Sequence, residues 1–124
     1  MSADLRTMAV AFTADTLHAM IPAIASVSTR KVLKPKPQTC CAEFAAYAEV
    51  RLSRLERYDS PIDNRELAFT ITVETATALI EVMDNFLGVQ VWGKQERHCN
   101  DAKTYLEHKV SEMPELPSQL KLKV

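Results

Sequence analysis

Two stretches of this chain spell nearly the same transition. In "VAFTADTLHAMI", residues 10–21, and in "FTITVETATALI", residues 69–80, an alternating run of apolar residues gives way at a threonine to apolar residues at helical spacing. Within "RELAFTITVE", Leu67, Phe69, Ile71 and Val73 alternate with Ala68, Thr70, Thr72 and Glu74, the period of a strand with one buried face. Ala76, Leu79, Ile80, Met83, Phe86 and Leu87 then recur every three or four positions. Thr72 is placed to cap that helix, Glu74 lies in its first turn, and Gly88 is placed to end it.

A gapless shift of 59 positions puts the first stretch on the second. It superposes Arg6 on Arg65, Ala9 on Ala68, Thr13 on Thr72, Thr16 on Thr75, Ala19 on Ala78 and Ile21 on Ile80. Met8, Val10 and Phe12 then overlie Leu67, Phe69 and Ile71, and Leu17, Met20, Ile24 and Val27 overlie Ala76, Leu79, Met83 and Phe86. The first copy therefore reads as a strand over about residues 5–12 and a helix capped by Thr13, with a kink or early end at Pro22, whose ring cannot supply a helical N–H. Beyond this the match thins, with Val32 and Leu33 on Val91 and Trp92, and Cys40 on Cys99.

Each copy enters a second helical pattern. One buries Cys41, Phe44, Ala45, Ala48, Leu52 and Leu55 and leaves Glu43, Arg51, Arg54 and Arg57 to solvent; the other buries Cys99, Ala102, Leu106, Val110 and Met113. The expected fold is α+β: a tandem β-α-β-α duplication with halves 4–58 and 64–113, a C-terminal strand 119–124, and a small mixed sheet packed against three to four amphipathic helices. With 124 residues, 47% apolar and 25% charged, the chain reads as a single domain spanning 1–124.

Composition narrows function by exclusion. A net charge of -1 gives no global field for nucleic acid or anionic lipid, and no run of about 18 apolar residues predicts a membrane span. The first residues make a poor signal peptide, and three cysteines without a C-x-x-C pair fit a reducing, cytoplasmic setting. Only two glycines, Gly88 and Gly93, leave no phosphate-cradling loop. Cys40, Cys41, Cys99 and His98 are the residues from which a zinc site or a cysteine nucleophile would be built. Adjacent Cys-Cys and His-Cys pairs seldom both reach one ion, however, and side chains adjacent on a helix diverge by about 100°. No catalytic residue, metal ligand or cofactor is assigned.

Two features remain as binding candidates. The basic run in "TRKVLKPKPQ" places Arg30, Lys31, Lys34 and Lys36 beside Pro35 and Pro37, which should hold it extended as a loop or as an edge strand guarded by its lysines. Trp92 is the lone tryptophan, either a core anchor or an interface residue. The sequence favours a non-catalytic protein-binding or scaffolding module, such as a small inhibitor, an immunity-type or phage-encoded protein or an accessory subunit. Its partner would be another protein or a second copy. The alternatives are a nucleic-acid-associated protein using residues 30–36 and a cysteine-dependent or metal enzyme. The runs "FTADTLHAMIPAIASVSTRKVLKP", "ITVETATALIEVM" and "EMPELPS" resemble parts of one bacterial sliding-clamp domain. Clamp domains are rich in strands and turn glycines whereas residues 39–57 read as a helix, so the resemblance assigns no family.

Overall fold

The computed structural model describes residues 6–57, 66–88 and 93–113. It is an α+β fold in which, among the described residues, each half shows a strand followed by two helices. The order is β1 (Thr7–Thr13), α1 (Ala14–Thr29), α2 (Pro35–Arg57), β2 (Glu66–Thr72), α3 (Val73–Leu87) and α4 (Lys94–Glu112). The two strands form one antiparallel sheet, with Met8 opposite Ile71, Val10 opposite Phe69 and Phe12 opposite Leu67. Those six side chains are buried against the helices, and the opposite face carries Thr7, Ala9, Ala68 and Thr70, all exposed. Period-two patterning thus decides both faces of the sheet.

Strand passes into helix with no intervening residue because one threonine serves both elements. Thr13 (φ −71°, ψ 158°) is extended, and its Oγ1 accepts the Thr16 N–H at 3.2 Å. Thr72 (φ −79°, ψ 158°) does the same for the Thr75 N–H at 3.0 Å. Each cap satisfies one of the donors that a helix start leaves without an intrahelical acceptor.

Thr7 and Glu66, Ala14 and Val73, and Pro35 and Lys94 open corresponding elements, and the members of each pair lie 59 positions apart. The buried sets of α1 and α3 correspond at the same interval: Ala14, Leu17, Ala19, Met20, Ala23, Ile24 and Val27 against Val73, Ala76, Ala78, Leu79, Val82, Met83 and Phe86. The second helices depart from it. Cys41, Phe44 and Ala48 are buried on α2, and Cys99, Ala102 and Leu106 on α4, which is an interval of 58. The burial partner of Cys99 is therefore Cys41 and not Cys40, because a one-residue slip turns a helix by about 100° and the core face must still point inward.

Four expectations need correction. The sheet is not mixed: among the described residues it has two antiparallel strands. No strand follows α1; Lys31–Lys34 form a loop in which Leu33 is buried and Val32 is 52% exposed. Pro35 and Pro37 do not extend this run but sit in the first turn of α2, where backbone N–H groups lack helical acceptors anyway and a fixed φ suits the helix. Finally, α1 does not end early at Pro22. It continues to Thr29, carried by Ala23, Ile24 and Val27 packed beyond the proline, with Pro22 itself exposed. Residues 119–124, Leu55's side chain, Val91 and Trp92 lie outside the described residues.

All six elements feed one core. Phe12 meets Phe44 and Tyr105 edge-on at 6.1 and 5.5 Å between ring centroids, so rings from β1, α2 and α4 interlock over the sheet. Among the described residues, no helix is long and apolar enough to cross a membrane.

Candidate functional site

Among the described residues no third strand pairs with either edge of the sheet, and the phase of the ladder decides which backbone groups face outward. The Val73 N–H donates to the Arg6 carbonyl at 2.8 Å at the end of the ladder. Alternation from that bond makes Met8–Ile71, Val10–Phe69 and Phe12–Leu67 the hydrogen-bonded pairs, and turns the N–H and carbonyl groups of Thr7, Ala9, Ala11, Ala68, Thr70 and Thr72 outward. Side chains from the helices close both edges at one register pair. On the β1 edge, the Tyr105 hydroxyl of α4 accepts the Ala11 N–H at 3.0 Å; on the β2 edge, Arg51 of α2 donates to the Ala68 carbonyl.

The two closures differ in kind. Tyr105 is half-buried with its ring against Phe12, so it is wedged in place. Arg51 instead lies over ring faces, its guanidinium carbon 4.8 Å from the Phe69 centroid and 5.8 Å from that of Tyr47. Tyr47 packs edge-on against Phe69 at 5.7 Å while remaining 55% exposed, and Val50, one turn further along α2, is 47% exposed. Arg54 follows Arg51 on the same side of α2 and is exposed. The β2 edge is thus flanked by an exposed aromatic ring and a cationic side chain. No described residue takes up the outward N–H and carbonyl of Thr70.

The residues singled out by sequence fall elsewhere. Arg30 caps the end of α1 and its guanidinium reaches the Ser26 hydroxyl at 3.3 Å; Lys31 adopts a left-handed φ of 55°; Lys34 is exposed beside the start of α2. Lys36 is engaged, its Nζ 3.3 Å from Glu74 at the first turn of α3. Three exposed cations are thereby gathered on one loop that leads into α2, and Trp92 lies outside the described residues.

The thiols are partnered separately. Cys40 donates toward Glu74 Oε1 at 3.5 Å and Cys99 toward the Ala19 carbonyl at 3.7 Å, so they share no site. Burial pushes the Cys41 thiol up to about 12, with Cys40 and Glu81 adding smaller effects, and burial alone takes Cys99 to about 11. Cys40 is also raised, chiefly by burial, against an opposing hydrogen bond from Thr75. All three stay protonated at neutral pH, the opposite of what an activated nucleophile needs. Among the described residues, no group of three or more His, Cys, Asp and Glu side chains is placed to hold a metal ion.

Sequence reasoning missed two placements. His18 and His98 share a shallow cleft of about 490 Å³ between α1 and α4 with Asp15, Ala19, Pro22 and Gln95, and His98 Nδ1 lies 3.4 Å from the Thr16 hydroxyl. Tyr47 and Arg51 define the β2 flank. Their four-residue spacing is visible in the sequence, but it reads there only as part of a solvated helical face. Comparison with protein-family models, with curated proteins and with solved structures finds no match to this chain.

Proposed function

We propose that this chain is a non-catalytic protein-binding or scaffolding module that engages an extended segment of its partner along the β2 edge. The observation that carries this reading is the conjunction at that edge: outward backbone groups of Thr70 without a described partner, flanked by the exposed Tyr47 ring packed on Phe69. Pairing along an open strand supplies backbone hydrogen bonds, and the α2 flank supplies side-chain contacts. Exposed aromatic groups of this kind are the usual anchors of protein interfaces. The interval of 59 between corresponding described elements supports reading the two halves as copies of one unit.

Association with nucleic acid is the second reading, and the exposed Arg30, Lys31 and Lys34 on one loop favour it. Affinity purification of tagged protein separates the two. The protein-binding reading predicts a co-purifying protein that is retained by the Arg30→Ala/Lys31→Ala/Lys34→Ala variant and lost with Tyr47→Glu. Nucleic acid that co-purifies with Tyr47→Glu and is lost with the triple variant contradicts it.

A further inference from the structure

We infer that the β2 edge selects extended partner segments carrying a carboxylate on the side that faces α2, with Arg51 acting both as the stopper of the edge and as the receptor for that carboxylate. This rests on the β2-edge reading above. A strand pairing along β2 must donate an N–H to the Ala68 carbonyl, which the Arg51 guanidinium occupies. The incoming strand must share that carbonyl with a charged donor or displace it, and a neutral segment that displaces it gains one hydrogen bond by breaking another. A carboxylate on the same strand changes the balance, because it offers the displaced guanidinium two charged oxygens in place of one carbonyl.

The flank sets where that carboxylate belongs. Strand residues opposite Leu67, Phe69 and Ile71 point to the helix side of the sheet, so successive helix-facing side chains of a partner lie two residues apart. Cys40 lies near Glu74, Tyr47 near Phe69 and Arg51 at Ala68, so α2 runs opposite in direction to β2. An apolar side chain near Phe69 meets the Tyr47 ring, and one two residues away toward Leu67 meets Arg51, with the exposed Arg54 a turn further on. The chemistry recognised is an alternating segment with apolar and acidic side chains on one face. The β1 edge lacks this logic, since its stopper is a neutral hydroxyl braced by Phe12.

The test uses the full chain and two fluorescent decapeptides, one repeating Val-Thr-Glu-Thr so that valine and glutamate alternate on one face of the strand and its counterpart with every glutamate replaced by glutamine, read by fluorescence polarisation at low salt. Wild type should bind the glutamate peptide about tenfold more tightly or better, the worth of one charge-assisted hydrogen bond. Arg51→Gln should bind both peptides alike. Thr70→Pro should lose both, since its altered N–H points away from β1 and the sheet keeps its ladder; Tyr47→Ala, changed at an exposed helical position, should weaken both and serves as the check should Thr70→Pro misfold. Equal affinities in wild type, or a glutamate preference that survives in Arg51→Gln, overturn the carboxylate selection. Binding that is unchanged in both Thr70→Pro and Tyr47→Ala, or no binding of either peptide, overturns the edge reading with it.

Discussion

Thr13 and Thr72 each terminate a strand and cap a helix, and their hydroxyls take the N–H three residues on. Replacing either by alanine should cost about 1 kcal/mol in urea unfolding, and replacement by serine should cost less, because the capping oxygen is kept. The buried thiols make a second prediction, with a definite sign. Cys41 and Cys99 have folded-state values raised to about 12 and about 11, above the ordinary value of 9.0. Their contribution is fully present below pH 9 and is lost as pH rises, since the unfolded thiols release protons that the folded ones keep. Between pH 9 and 11 stability should fall by up to about 1.4 kcal/mol per pH unit for each thiol. The Cys41→Ala/Cys99→Ala variant should show a shallower decline over that window in parallel urea titrations.

At the level of elements, Pro22 tests how far packing overrides local propensity. It sits inside α1 with buried residues on both sides of it, and its own ring is exposed. Pro22→Ala should raise stability by about 1–3 kcal/mol, as measured by chemical denaturation, by restoring a helical donor without disturbing the core. The strands and first helices of both halves were legible in the sequence because their signals are local: period two, a capping threonine, then period 3.6. The missing strand after α1 was misread because Val32 and Leu33 have the right residue types but stand directly before Lys34 and the helix that begins at Pro35. Pro35 and Pro37 looked like extended chain for the same reason. Proline breaks a helix interior but suits a helix start, and only knowledge of where α2 begins separates the two.

For the whole molecule, what escaped the sequence is whatever depends on juxtaposition. The pairing of β1 with β2 joins residues 53 to 65 positions apart, and the site at the β2 edge exists only because α2 lies beside a strand that follows it in sequence. Arg51 and Tyr47 then cease to be ordinary solvent-facing helical residues: one covers a strand carbonyl and the other braces Phe69. The basic loop, by contrast, was legible as a charge cluster, and the structure adds that one of its four members, Lys36, is held by Glu74. The antiparallel register, the outward phase of Thr70 and the proposed binding along the β2 edge are tested at once by amide hydrogen exchange followed residue by residue. The predicted result is alternation along β2 in the free protein, with slow exchange at Leu67, Phe69 and Ile71 and fast exchange at Thr70, which becomes slow when the glutamate-containing peptide is added. Slow exchange at Thr70 in the free monomer, or slow exchange without alternation along the strand, would contradict the account.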